Sequence, residues 1–386
     1  MKHVDVAILG ACGWMGKCHS LGYRNLPLLF PEYQATAEIR WLIDEAQERL
    51  MPLKAAYPGA RISTDWQAAV NDPAVDLIDI CLPDHLHYSV AKAALEAGKH
   101  VYCEKPFTAT AAEAAELAEI ATKRGLVTRV GHNFPKNPVH DLTKEILVRG
   151  EIGELVLFKA SMHVDVLADP ETPFMWRCDG DLAPTGVVGD VASHLFSFIH
   201  MLIGPVGTLV ADVATTTKAR PVVEGFGYGV KAEKRAGANL REVTNSDLVN
   251  LMCTFKSGGR GIVDASRVAS GRRFLQSYEI YGTKGAISFN FDEINRLRVY
   301  TGKDEPGRQG YRAIDVGAER RNFAAFLPVA NFGLGYNEFK AIEVCEVVHS
   351  VATGKPMWPT FEDGHEIMKI VDACFRSSRQ RAWVDV

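Results

Sequence analysis

Long apolar runs are missing from this chain of 386 residues, and with them any segment of the length that a bilayer-spanning helix needs. Residues 1 to 9 contain Asp5 and are too short for the apolar stretch of an export signal, so neither export nor anchoring is expected. An excess of one charge is missing too. A formal net charge of -4 gives no basic field to recruit nucleic acid or an anionic membrane. Clustered cysteines are also absent: the eight present lie far apart, several within apolar runs where a small hydrophobe fits. That argues against a disulfide framework and for reduced thiols in a cytoplasmic protein. There is no internal repeat and no low-complexity tract. What remains is an ordinary globular composition, 47% hydrophobic, in a chain long enough for two domains, because single cores stop growing near roughly 250 to 300 residues.

Strand and helix patterns alternate through the first third. Buried strands are expected at Val4 to Leu9, Ala37 to Ile43, Val75 to Cys81, His100 to Cys103 and Val127 to Gly131. Helices are expected at Trp14 to Arg24, Glu45 to Ala56, Thr64 to Asn71, His87 to Ala97 and Ala109 to Arg124. This alternation implies an α/β, doubly wound parallel sheet of Rossmann type over residues 1–133. After Phe134 the pattern changes to a helix at Val139 to Arg149 and longer strands joined by short turns such as Lys256-Ser-Gly-Gly259 and Gly282-Thr-Lys-Gly285. Residues 134–386 therefore read as an α+β domain with an open, largely antiparallel sheet. Its further helices fall at Val191 to Leu202, Tyr336 to Thr353 and Gly364 to Arg379, and a C-terminal helix can pack back on the first domain. The Gly-, Lys- and Arg-rich stretch from Arg220 to Arg241 reads as a long, mobile loop.

Chemistry concentrates where the strands of the first domain end. The loop Gly10-Ala11-Cys12-Gly13-Trp14-Met15-Gly16 joins the first strand to the first helix. Glycines there allow a tight turn and let a pyrophosphate reach the backbone N–H groups at a helix N-terminus. The spacing departs from G-x-G-x-x-G: either Gly10, Gly13 and Gly16 act with one extra residue, or Ala11 replaces the first glycine. Asp44 closes the second strand, where a carboxylate can accept hydrogen bonds from both ribose hydroxyls; the alternative is that it caps the following helix. No arginine follows it until Arg49, which favours NAD over NADP. Pro83, His87, Glu104, Lys105 and Asn133 complete the cofactor side of the same strand ends. Lys105, set before Pro106, can stabilise a developing alkoxide. His85 and His87 lack the cysteine or carboxylate partners of a metal set, so no metal is expected.

A second constellation lies in the second domain: Trp176-Arg177, then Gly186-Val-Val-Gly189-Asp190-Val-Ala-Ser-His194. Asp190 and His194 are four apart at the start of a helix and share a face, so the carboxylate can orient an imidazole that acts as general base. The alternative is a helix-capping aspartate with an incidental histidine.

In order along the chain these motifs resemble the Gfo/Idh/MocA oxidoreductase family. The resemblance includes Lys17-Cys-His19, Thr64-Asp-Trp66, Asp72-Pro-Ala-Val-Asp-Leu-Ile-Asp-Ile80, Glu104-Lys-Pro106, Gly131-His-Asn-Phe-Pro-Lys-Asn137, Trp176-Arg177, Gly189-Asp190 through His194, Glu279-Ile-Tyr-Gly-Thr-Lys-Gly285 and Trp383-Val384. It implies that Lys105, Asp190 and His194 are the catalytic lysine, aspartate and histidine, and that the second domain's sheet supports a homodimer or homotetramer. The expected reaction is hydride transfer between NAD and a secondary alcohol of a carbohydrate, with Lys105, Lys136, Trp176, Arg177, Asp190 and His194 on the substrate side. One alternative is an NAD-dependent glycosidase that oxidises the ring transiently; another is a catalytically silent NAD-binding sensor. Two further departures from the family pattern stand out. Ser197 occupies a position where relatives often have aspartate, and Pro135-Lys136 stands where they commonly have arginines. Lys136, with no evident partner in the sequence, is expected to favour an anionic sugar.

Overall fold

The structure, a computed structural model, describes residues 2–223 and 239–386. The chain divides into two compact units: Met1–Asn137 with Gly317–His365, and Pro138–Val316 with Glu366–Val386. The expected single boundary at 133/134 is thus corrected. The first unit is built from two separated stretches, because the apolar helix Tyr336–Thr353 packs within it.

In the first unit a six-stranded sheet has the order β3-β2-β1-β4-β5-β6, with β1 Lys2–Leu9, β2 Ala35–Ile43, β3 Arg61–Ser63, β4 Leu77–Ile80, β5 His100–Glu104 and β6 Thr128–Gly131. All its pairings are parallel, the Rossmann arrangement. Strands covered on both faces must be apolar throughout, and β4 is buried at every residue, Asp79 included. The helices are α1 Trp14–Leu29, α2 Gln47–Ala56, α3 Trp66–Val70, α4 His87–Glu96 and α5 Ala111–Arg124. The last shows how local signals set ends: Thr110 and Glu113 form a reciprocal capping box, and Gly125 stops the helix at φ +63°. Helix Tyr336–Thr353 belongs to the same core as β1, β2 and α1. At Gly22 of α1 an added Cβ would lie 2.8 Å from Val344 Cβ, so the two helices meet with no room for a side chain there.

The second unit carries helix α6 (Val139–Val148) and a nine-stranded, mostly antiparallel sheet. Its strands include β7 Leu155–His163 and β8 Val206–Ala214. β9 Ala219–Pro221 and β10 Leu240–Glu242 form a separate antiparallel pair. The main sheet continues with β11 Leu248–Phe255, β12 Arg260–Ser266, β13 Leu275–Gly282, β14 Ala286–Asn290, β15 Arg296–Tyr300, β16 Arg312–Asp315 and β17 Val384–Asp385, in the order β16-β15-β14-β13-β7-β12-β11-β8-β17. Alternation buries one face, and on the other the cross-strand pair Met252 and Ile262 stays exposed. Of the stretch Arg220 to Arg241, expected as one loop, the ends pair as β9 and β10; residues 224–238 lie outside the described residues. No helix among the described residues is long and apolar enough to cross a membrane.

Candidate active site

The glycine loop follows β1 and opens α1. Gly10 has φ +83°, and a Cβ there would meet Cys81 O at 2.3 Å; a Cβ at Gly16 would meet Gly10 O at 2.5 Å. Only glycine fits at both places, so Gly10 makes the turn and Gly16 lets the helix close on the loop. Gly13 has an ordinary φ of -68° and is the N-cap of α1. The extra residue therefore lies between the turn and the helix start. That cap makes no side-chain hydrogen bond and no acidic side chain sits in the first helical turn, which suits an anionic group at the N-terminus. Trp14, next in the loop, is exposed and stacks on Tyr336 at 4.7 Å, while Tyr336 Oη donates to Met15 Sδ at 3.2 Å.

Asp44 follows β2 and is not the N-cap of α2, which is Ala46. Its Oδ2 instead accepts from the Cys12 N–H at 2.8 Å, tying the second strand end to the glycine loop. Burial and the Asp44 charge push the Cys12 thiol up to about 11, so it stays protonated. Arg49 departs from its expected remoteness. In the first turn of α2, its Nη1 lies 3.4 Å from Asp44 Oδ1.

At the end of β5, Glu104 turns inward. Its Oε1 lies 3.1 Å from His19 Nε2 and accepts from Lys340 Nζ, and its Oε2 accepts from the Lys105 backbone N–H at 3.2 Å. Burial alone would raise this carboxyl, but Lys340 and the His19 hydrogen bond hold it well below the usual carboxylate range. Glu104 thus supports the turn from within, and its side chain is not available to a cofactor as expected. The same correction applies to His87. It is fully buried, with Nδ1 2.7 Å from Pro106 O and Nε2 2.8 Å from Leu82 O, so it braces the turns after β4 and β5, Pro83 included. Asn133, after β6, behaves differently. It is 1% exposed, and neither its amide nitrogen nor its oxygen has a hydrogen-bond partner among the described residues. A buried amide is rarely left so, and it suits a ligand with both donor and acceptor, such as a carboxamide.

Lys136 corrects the expectation of an unpartnered cation. It is buried, with Nζ 2.6 Å from Glu346 and donating to Trp358 O at 2.7 Å. Arg129 shares the same carboxylate at 2.6 Å. Burial lowers the Lys136 pKa, and together with Arg129 it holds Glu346 below the usual range against the effect of burial.

In the second unit Asp190 lies in a π-helical turn, Val188–Ala192, that continues into the α-helix Ser193–Phe198 carrying His194. Wide turns of this kind recur at functional sites. Arg177 Nε approaches Asp190 Oδ2 at 3.5 Å, and its guanidinium stacks over Trp176 at 4.2 Å. So Trp176, Arg177 and Asp190 do come together, and His194 is buried one helical turn on. Sequence reasoning missed what holds them. Buried Arg267 donates to the Arg177 carbonyl at 2.8 Å and is fixed by Asn245 at 2.5 Å. Ser197, fully buried, donates to the His194 carbonyl at 2.7 Å and so stabilises the helix backbone there.

Residues 4–132 match the family model described as oxidoreductase family, NAD-binding Rossmann fold, and residues 140–288 match the GFO/IDH/MocA C-terminal domain. The chain belongs to the Gfo/Idh/MocA family. Levoglucosan dehydrogenase of Pseudarthrobacter phenanthrenivorans is 34% identical over 387 residues, covering 100% of this chain and 99% of that protein. The solved structure of levoglucosan dehydrogenase in complex with NADH and levoglucosan superposes with a TM-score of 0.92 at 31% identity, covering 100% of both chains. An NAD binding oxidoreductase from Klebsiella pneumoniae gives 0.90 at 34% identity, covering 100% of this chain and 99% of that one. In this Gfo/Idh/MocA protein the glycine loop and Asp44 lie within the residues that match the NAD-binding Rossmann model.

Proposed function

We propose that the protein is an NAD-dependent dehydrogenase acting on a secondary alcohol of a sugar, polyol or glycoside. The observation that carries this reading is likeness along the whole chain to a dehydrogenase whose structure holds NADH and levoglucosan. Bound NAD supplies a hydride acceptor at the nicotinamide. The chain's own residues do the rest. His194 takes the hydroxyl proton, Asp190 orients its imidazole while facing Arg177, and Lys105 stabilises negative charge on the alcohol oxygen. Trp176 offers an apolar surface of the kind that sugar rings stack on, and Asn133 offers a carboxamide partner to the cofactor. The anionic-sugar expectation loses its basis, because Lys136 is committed to Glu346. No observation favours the redox-neutral glycosidase.

Self-association through the exposed face of the nine-stranded sheet is part of the proposal, supported by the apolar pair Met252 and Ile262. The eight cysteines, none in a disulfide, support a reducing compartment such as the cytoplasm. The deciding experiment is a panel of sugars, inositols and anhydrosugars, levoglucosan and L-sorbose among them, with NAD, following NADH absorbance and released free sugar together. NADH formation with a sugar or polyol is expected. Sugar release without NADH, or no turnover across the panel, overturns the reading.

A further inference from the structure

We propose that Lys340, distant in sequence from every motif, is a positioning residue for Lys105 and acts through the Glu104 carboxylate. The inference rests on the reading of Lys105 as the catalytic lysine. It begins with a backbone problem. Lys105 precedes Pro106, which has no N–H, so the turn that presents the lysine amine has few donors with which to be held. One is the Lys105 N–H itself, and it donates to Glu104 Oε2 at 3.2 Å. The neighbouring Pro106 carbonyl is held by His87 at 2.7 Å.

The Glu104 carboxylate can fix that N–H only if it is fixed in turn. Its other oxygen is gripped by Lys340 Nζ and by His19 Nε2 at 3.1 Å. Lys340 is fully buried on helix Tyr336–Thr353, an unusual fate for lysine. Its ammonium is held between Glu104 and Glu343, the latter at 2.6 Å, with Tyr102 Oη at 3.3 Å. With the Gly131 carbonyl at 3.5 Å, three donors face four acceptors, and the ammonium has little freedom to shift. Gly131, paired with Glu104 across β5 and β6, leaves the space: a Cβ there would come within 2.5 Å of Glu104 Oε1. The chain is therefore continuous from a helix near the C-terminus to the backbone of Lys105. A group displaced by about 1 Å loses roughly 100-fold in rate, so a device that fixes this backbone acts on turnover rather than on cofactor binding.

The rival account is that Lys340 only neutralises a buried carboxylate for stability. Lys340→Met, Glu104→Gln, their combination and Lys105→Met separate the two. Each is measured for thermal midpoint, NAD affinity, turnover of levoglucosan with NAD, and deuterium exchange at the Lys105 amide, which requires no turnover. Lys340→Met is expected to exchange faster at Lys105 and to lose roughly 10- to 100-fold in kcat, with NAD affinity changed by less than about twofold. The combined variant removes one charge of each sign and leaves Glu343 its hydrogen bond from the Tyr102 hydroxyl at 2.7 Å, so its thermal midpoint is expected to recover in part while exchange stays fast and kcat stays low. It carries the comparison if Lys340→Met fails to fold. Recovery of kcat and exchange along with the midpoint overturns the proposal, as does unchanged exchange in a folded Lys340→Met. Wild-type turnover in Lys105→Met overturns the reading of Lys105 and the proposal with it. Loss of turnover there, beside wild-type kcat and exchange in the combined variant, overturns the proposal alone.

Discussion

Asp44 holds the glycine loop through the Cys12 N–H and is approached by Arg49 at 3.4 Å, so the carboxylate proposed to discriminate between dinucleotides has a half-exposed counter-ion beside it. A 2'-phosphate would meet repulsion from Asp44 and attraction from Arg49. Asp44, buried and fixed by the loop, is expected to dominate. NAD should bind more tightly than NADP, Asp44→Ala should narrow the gap, and Arg49→Ala should widen it; titrations of both dinucleotides against the three proteins check this, and equal affinities in the parent chain would sink it. The residues proposed to act on the alcohol make a different prediction. Lys105→Met and His194→Ala should each lower turnover by roughly two to four decades with NAD affinity nearly unchanged, and Asp190→Ala should lose less. Full activity in His194→Ala would assign the proton to another group.

At the scale of elements, the fold was legible wherever a segment's periodicity depended on its own residues. Buried runs such as Leu77–Ile80 and the amphipathic helices fall where expected, and the Thr110 and Gly125 signals end α5 as their chemistry requires. The three-residue β3 is too short to carry a pattern, and the π-turn at Val188–Ala192 leaves no compositional trace because it inserts no special residue. The candidate residues themselves were legible as motifs; their partners were not. Lys136 sits 210 positions from Glu346, and nothing local to either announces the pair. The consequence is testable on Lys136 itself. Removing one member of a buried ion pair typically costs about 3 to 5 kcal/mol, and Arg129 remains with Glu346 to soften the loss. Lys136→Met should therefore lower unfolding free energy by about 2 to 3 kcal/mol, read from denaturant curves, without selectively raising the KM for acidic sugars. A stable variant with impaired use of acidic sugars alone would restore the cleft-facing cation.

For the molecule as a whole, the first unit is organised around buried charge. His19, Arg129, Lys136 and Lys340 are interleaved with Asp79, Glu104, Glu343 and Glu346, linking α1, the sheet and helix Tyr336–Thr353. Four cations balance four carboxylates only while His19 is protonated. Burial opposes that state, but the Asp79 charge and the hydrogen bonds to Asp79 and Glu104 raise its pKa from 6.5 to about 9. A folded-state pKa above the unfolded one favours the fold fully below 6.5, and that contribution fades as pH rises through about 9. Glu104 and Glu346 are shifted down from 4.5, so what they contribute is present above that value and lost as pH falls. The network is therefore strongest between about 4.5 and 6.5. Its alkaline arm, integrated over the His19 shift, amounts to up to about 3 kcal/mol. Unfolding of the intact chain by calorimetry or denaturant between pH 5 and pH 10 should show stability declining from near 6.5 to near 9. His19→Gln should be less stable at pH 6 and should lose most of that decline. A parent protein whose stability is level across this window, or a His19→Gln variant with the same slope, would mean that the imidazole is buried neutral and that the charges balance without it.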